Sequence, residues 1–379
     1  MNPIYLDHAA TTPMDPEVTK EMLPIFEVYG NPSSIHSFGR KARQLLDQSR
    51  RIAASSIHAN EKDIVFTSGG TEADNIAMIG TAHANQHKGK HIITTVIEHH
   101  ATLHTAEYLE KQGFKVTYLP VEENGQIELE SFKAALTDET ILVSIMAVNN
   151  ETGVIQPIQE IADIVKDHQA YFHTDAVQAY GLLDLNVNEI SIDLLSVSSH
   201  KINGPKGIGF LYIREGVLVE ALQHGGQQER KRRPGTENVA GIIGFAKAIQ
   251  IAQQKREERI NTYQAYKQSF VETLEQEAIN FFVNGEWEKT IPSTINISFP
   301  GTNVESLLTN FDLAGIAASS GSACTAGSVE PSHVLSAMYG SENERTTNSI
   351  RFSFGLANNQ DQIIEAAKRV ASIVKRLVK

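Results

Sequence analysis

Asp193-Leu-Leu-Ser-Val-Ser-Ser-His-Lys201-Ile-Asn-Gly-Pro-Lys-Gly-Ile-Gly-Phe-Leu-Tyr-Ile213 holds the repeating theme of this chain. Two apolar runs, Asp193–Ser198 and Gly207–Ile213, are of strand length and largely continuous, as in strands buried on both faces. Lys201 follows the first run, and Gly204-Pro205-Lys206-Gly207 turns the chain into the second. Similar runs occur at Asp63–Thr67, His91–Val96, Lys115–Leu119, Ile141–Val148 and Tyr171–Thr174. Helical patterns lie between them; Ile158, Ile161, Ile164 and Val165 repeat at helical spacing just before Tyr171. This alternation predicts an α/β fold with a mostly parallel central sheet and helices on both sides.

The pattern changes after about residue 240. A charged, proline-free helical stretch is expected to run past Lys255–Arg259 toward Glu277, bridging two domains. Strands are expected at Ser293–Ser298 and Ser349–Phe354, then an amphipathic final helix with Ile363, Ala367, Val370, Val374 and Leu377 on one face. The expected division is a large domain over 15–259 and a smaller α+β domain over 260–379 joined by an extended N-terminal arm, 1–14. A chain of 379 residues is long enough for both.

Composition excludes several classes. Hydrophobic residues make up 41% and charged residues 21%, the balance of a soluble globular protein. No apolar run approaches membrane-spanning length, and the N-terminal residues have no signal-peptide pattern, so a cytoplasmic location is expected. A net charge of −12 argues against direct binding to nucleic acid. Arg230-Lys-Arg-Arg233 is a short basic run, open to reading as a solvated loop or as a contact for an anion. Cys324 is the single cysteine, which excludes an internal disulfide and a multi-thiolate zinc site.

A lysine at the mouth of a sheet can be desolvated, which lowers its pKa and frees the amine for imine chemistry. Asp175 follows the strand at Tyr171–Thr174, 26 residues before Lys201. It can cap a helix or pair with a protonated pyridine nitrogen. Gln178 is near enough along the chain to reach the phenolic oxygen of the same ring. Thr67-Ser-Gly-Gly70-Thr71-Glu-Ala-Asp-Asn75 follows a strand and opens a helix, a turn able to admit a phosphate. It has neither the P-loop pattern nor the dinucleotide spacing. Glu98-His99-His100 follows another strand, where a histidine could stack on a pyridine ring and move protons. Together these predict pyridoxal 5′-phosphate (PLP) held by Lys201 as a Schiff base. A metal site is not expected there.

The whole chain resembles the NifS/IscS-like group I cysteine desulfurases, in the fold-type I PLP-dependent (class V aminotransferase) superfamily. The resemblance rests on Tyr5-Leu-Asp-His-Ala-Ala-Thr-Thr-Pro13, Gly30-Asn-Pro-Ser-Ser-Ile-His36, the Gly69 turn, Glu98-His99 and Asn149-Asn150-Glu151. It continues through His173-Thr-Asp-Ala-Val-Gln178, Ser198-Ser-His-Lys201, Arg233-Pro-Gly-Thr236, Ser319-Ser-Gly-Ser-Ala-Cys324 and Ser349-Ile-Arg351. The resemblance implies that Gly70, Thr71, Ser198 and His200 bind the phosphate, with Thr236 reaching in from the second subunit of a homodimer. Asp175 then pairs with the pyridine nitrogen, Gln178 with the phenolic oxygen, and His99 stacks on the ring. Asn150 belongs to both cofactor and substrate binding, and with Arg351 holds the substrate carboxylate, to which a planar guanidinium is suited.

Small and polar residues around Cys324 predict a mobile, exposed loop rather than a buried thiol. The implied reaction converts L-cysteine to L-alanine. Lys201 removes the α-proton, His99 serves as acid–base for the substrate thiol, and the Cys324 thiolate takes the sulfur as a persulfide. Implied acceptors are an iron–sulfur scaffold protein or a tRNA thiolase, with Cys324 a transient iron–sulfur ligand during assembly. The stretch from Ser319 to about Thr347 resembles the longer loop of the NifS/IscS group. Competing readings are another fold-type I enzyme, a selenocysteine lyase or aminotransferase, and a noncatalytic sulfur-acceptor scaffold.

Overall fold

The computed structural model describes residues 2–320 and 330–378. Its strands are β1 (Ile4–Tyr5), β2 (Ile64–Thr67), β3 (His91–Thr95), β4 (Lys115–Leu119), β5 (Thr140–Ser144), β6 (Tyr171–Asp175), β7 (Leu194–Ser198), β8 (Gly209–Ile213), β9 (Phe282–Asn284), β10 (Thr294–Ser298), β11 (Ile316–Ala317) and β12 (Ser349–Ser353). Seven of them form one sheet in the order β2-β8-β7-β6-β5-β3-β4. Every pairing in it is parallel except the two made by β8.

Alternate side chains of these strands enter opposite cores, which is why the runs are continuously apolar. Phe210 and Tyr212 of β8, with Phe66 and Val197, pack on one face with Leu46, Ala53, Phe245 and Ile249 from the helices Ser37–Ser55 and Val239–Gln254. Leu211 and Ile213, with Val65 and Leu194, pack on the other face with Ala73, Ala77, Ala106 and Leu109. Truncating a fully buried phenylalanine such as Phe210 would cost about 3–5 kcal/mol. Gly209 lets β8 meet the turn after β2: a Cβ there would lie 2.5 Å from the Val197 carbonyl oxygen and 2.9 Å from Gly69 Cα.

A second core gathers Tyr263, Phe270 and Leu274 with Ile295, Ile297, Phe352 and the inner face of the final helix, Gln360–Leu377. Its sheet runs β12-β10-β9, all antiparallel. Ile4 and Leu6 of the N-terminal arm belong to this core, and β1 pairs in parallel with β11 (Ile4 with Ile316).

The expected single helix toward Glu277 is two helices, Val239–Gln254 and Arg256–Gln276. Lys255 leaves helical geometry at φ −103°, ψ 11°. The first helix serves the first core and the second helix the second, so the axis changes where the packing partner changes. The Ile141–Val148 run pairs as a strand only over Thr140–Ser144. Beyond it the amides of Ile145 and Ala147 still donate to the carbonyls of His173 and Asp175 of β6, and this pairing carries the chain on to the segment holding Asn150.

Candidate active site

Parallel strands bring their C-terminal ends to one edge, the usual ligand position in open α/β sheets. Asp175 ends β6, and Lys201 closes a single 3-10 turn, Ser199–Lys201, after the neighbouring β7. Gly70 and Thr71 open the helical run after β2, and His99 caps the helix His100–Lys111 after β3. A cavity of about 530 Å³ lies along this edge. Gly70, Thr71, His99, Asn150, Asp175, Gln178, Ser198, His200, Lys201 and Arg351 all line it. A Cβ on Gly70 would stand 2.8 Å from Val177 Cγ2 and 3.7 Å from Ser198 Cβ, so glycine keeps a cradle open there.

The electrostatics suit imine chemistry. Burial lowers the Lys201 amine to about 8, helped by Arg351 and opposed by Asp175 and Asp7. Its Nζ donates to the carbonyls of Ala9 and Ala10 on the N-terminal arm. Burial raises the Asp175 carboxyl above the usual range, against the Val177 amide, which donates to Oδ1 at 2.8 Å, and against Lys201. His99 Nδ1 accepts the Ala101 amide at 3.1 Å, which assigns the proton of the neutral ring to Nε2. Burial and the Lys201 charge lower its pKa, so the ring is neutral near pH 7. Gln178 Nε2 donates to the Ala9 carbonyl at 3.0 Å, and His200 Nδ1 lies 3.1 Å from Thr11 Oγ1.

The opposite wall is assembled from distant segments. Arg351 of β12 donates from Nη1 to the Asn150 carbonyl and from Nη2 to Asp7 Oδ1, both at 2.8 Å. Asn150 Oδ1 is buried without a hydrogen-bond partner among the described residues. Cys324 lies outside the described residues. The chain on either side of it borders the cavity. Ser319 exchanges two backbone hydrogen bonds with Arg351, and both Ser319 and His333 line the wall. Ser332 Oγ donates to the buried carboxylate of Glu151, whose other oxygen is 3.8 Å from His333 Nδ1.

Thr236 is apart from this cluster. It lines a separate cavity of about 170 Å³ with Ser68, Arg233 and Gly235. The basic run before it is partly tied down. Glu229 receives a buried two-pronged contact from Arg50 at 2.6 and 2.7 Å, and Arg233 pairs with Glu72 at 2.8 Å. Glu229, Arg230 and Lys231 all have left-handed backbone (φ 45°, 55° and 67°). His100 has His104 and His333 as ring neighbours at 5.1 and 5.0 Å, yet among the described residues no group of three side chains is arranged to hold a metal.

Asp7, Asp74, Glu151 and His333 also belong to this site, although nothing in the sequence singles them out individually. Asp74 is buried and lines the cavity; its own burial and the nearby Asp175 raise its pKa well above the carboxylate range. Asp7 and Glu151 sit inside quoted motifs, Tyr5–Pro13 and Asn149–Glu151, so the signal was present without a partner to interpret it.

The sequence profile described as aminotransferase class-V matches residues 4–365. The chain belongs to this family. Within it, the chain is 57% identical to "Putative cysteine desulfurase IscS 1" of Bacillus subtilis (strain 168), over 100% of both chains. Among solved structures it is similar to a NifS-like protein at TM-score 0.92 and 35% identity, covering 99% of this chain and 100% of that one. A structure of SspA in complex with cysteine matches at TM-score 0.81 and 36% identity, covering 92% and 98%. The chain is thus a class-V aminotransferase family member of the cysteine desulfurase branch, with the fold-type I architecture. The family is PLP-dependent. The residues present fit that cofactor: a desolvated amine at Lys201, a carboxylate at the end of β6, and a glycine cradle where a Cβ would intrude. No helix among the described residues is long and apolar enough to cross a membrane.

Proposed function

We infer that this PLP-dependent enzyme is a cysteine desulfurase that binds L-cysteine on Asn150 and Arg351, transfers its sulfur to Cys324 and releases L-alanine. The observation that carries this reading is a convergence on one cavity: Lys201, Asp175, Arg351 and both chain segments flanking Cys324 border it. Gly70, Thr71, Ser198 and His200 are suited to hold the phosphate, Asp175 the pyridine nitrogen and Gln178 the phenolic oxygen. The cofactor, when bound, supplies a sink for the electron pair released at the substrate α-carbon. Lys201 would carry the covalent link to the cofactor and, as a free amine, would take the α-proton, a task that its pKa of about 8 suits. His99, neutral and with a proton on Nε2, is suited to cover the ring and would exchange a proton with the substrate thiol.

The Cys324 thiolate attacks the substrate sulfur. A sulfur–sulfur bond forms, the carbon–sulfur bond breaks, and its electron pair stays on carbon, where protons complete L-alanine. Cys324 keeps the persulfide and hands it to an acceptor protein, an iron–sulfur scaffold or a tRNA thiolase. A thiol with this task fits a reducing cytoplasm.

The working protein is a homodimer on this reading. Leu23, Phe26, Tyr29, Ile35 and Phe38 form an exposed apolar segment, with Ile35 90% exposed, and a second copy would cover it. Thr236 would then complete the partner's phosphate site. We divide the chain into 15–259 and 1–14 with 260–379, a division supported by Ile4 and Leu6 packing with Phe270 and Phe352.

PLP-loaded protein incubated with L-cysteine should yield L-alanine, and one added sulfur on the Cys324 peptide by mass spectrometry. Cys324→Ala should abolish both the added sulfur and sulfide release. A Cys324→Ala protein that released sulfide at the wild-type rate, with reductant present, would overturn the mechanism.

A further inference from the structure

Asp7 opens a braced turn on the N-terminal arm. The amides of Ala10 and Thr11 donate to its carbonyl at 3.1 and 3.4 Å, and Tyr5 Oη donates to it at 3.0 Å. The turn projects the Asp7 carboxylate onto Arg351, 2.8 Å from Nη2. The same turn supplies the Ala9 and Ala10 carbonyls that receive Lys201. Asp7 is therefore fixed against Arg351, and its charge also reaches Lys201.

A guanidinium has five N–H donors, and the contacts to Asp7 and Asn150 engage two. Arg351 Nε is buried without an acceptor among the described residues. A second carboxylate can thus be received, but it enters beside a like charge. The Arg351 side chain is only 5% exposed and that of Asp7 21%, so solvent screens this repulsion incompletely. In the absence of substrate the arrangement has the opposite merit, since an unpaired buried guanidinium is costly.

We infer that Asp7 is a specificity-determining residue, an internal carboxylate that shares Arg351 with the α-carboxylate of the amino-acid ligand and weakens its hold. Asp7 keeps Arg351 oriented and neutralised between turnovers and speeds departure of the amino-acid product. This rests on the reading of Arg351 as the substrate carboxylate receptor.

The test uses PLP-loaded full-length protein with Asp7→Asn and Asp7→Ser, two variants so that failure of one to fold leaves the other to decide. Affinities for L-alanine, L-cysteine and cysteamine, which lacks a carboxylate, are read from changes in cofactor absorbance. Both amino acids should bind about 3- to 10-fold more tightly, with cysteamine changed by less than about twofold. The KM for L-cysteine should fall by a similar factor, and L-alanine should become a correspondingly stronger product inhibitor. The Asp7 carboxylate favours positive charge at Lys201 Nζ, in the free amine and by the same sign in the cofactor-linked nitrogen, so its removal should also move the pH midpoint of the cofactor's absorbance downward. Unchanged or weaker L-alanine binding in a folded variant overturns the proposal, as does equal tightening of cysteamine. Wild-type protein that binds L-alanine but puts no sulfur on Cys324 would instead fault the desulfurase reading, since the L-alanine comparison still measures Asp7.

Discussion

Asp175 and Lys201 leave neighbouring parallel strands, so β6 and β7 alone bring them to one edge. Arg351 meets Asp7 across 344 positions and Asn150 across 201. The cofactor wall is the edge of one sheet, positioned by strands whose side chains are buried on both faces. The substrate wall is a seam where the N-terminal arm, the segment after β5, and β12 meet between two cores. The difference teaches where precision comes from. On the first wall the pairing of one sheet sets the geometry, while on the second short backbone bridges between distant segments, Asp7 with Ser353 and Ser319 with Arg351, are completed by a few charged side chains.

Arg351→Ala should break that comparison most clearly. Losing charge-assisted hydrogen bonds to a carboxylate is expected to raise the KM for L-cysteine about 30- to 100-fold. Cofactor affinity should stay within about twofold, since no contact to the sheet edge is lost. A matching loss of PLP affinity by fluorescence titration would mean that the two walls are one unit. Gly70→Ala addresses the other wall. Its Cβ would meet Val177 Cγ2 at 2.8 Å, so PLP affinity should fall about tenfold, with L-cysteine KM restored once the cofactor is saturating.

The smallest effect is on stability. Burial raises the Asp175 carboxyl in the folded protein, so folding favours its protonated form. The penalty on the folded state is absent below the unfolded value, grows as pH rises from there to the folded-state pKa of about 6, and is constant above it. Asp175→Asn keeps an acceptor for the Val177 amide. In cofactor-free protein it should raise Tm by a few degrees at pH 8, corresponding to roughly 1–2 kcal/mol, with the gain vanishing toward pH 4. A gain that persisted at low pH would assign the effect to packing.

The same contrast governs what could be read in advance. Buried parallel strands leave continuous apolar runs, so the central sheet and the turns after β2, β3, β6 and β7 were legible, with Lys201, Asp175, Gly70 and His99 at their ends. The short β9 and β11 carry little pattern of their own and exist through pairing with β10 and β1. The break at Lys255 was invisible because no proline or glycine marks it and only the packing partners of the two halves differ. Asp7 was readable as a motif member, but its role depends on a partner at the far end of the chain. Thr236 was expected to act from a second copy; within one chain it faces a different cavity.

The pairing of β1 with β11 bears on biosynthesis. Residues 4–10 emerge from the ribosome early, yet Ile4 and Leu6 find their packing partners only after β11, β12 and the final helix have been made. The turn carrying Ala9, Ala10 and Asp7 therefore waits with them. A chain that stops short of β12 has the strands that carry Asp175 and Lys201, but lacks both the guanidinium and the packing partners of the clasp. Assembly of the substrate wall is thus tied to synthesis of β12 and the final helix.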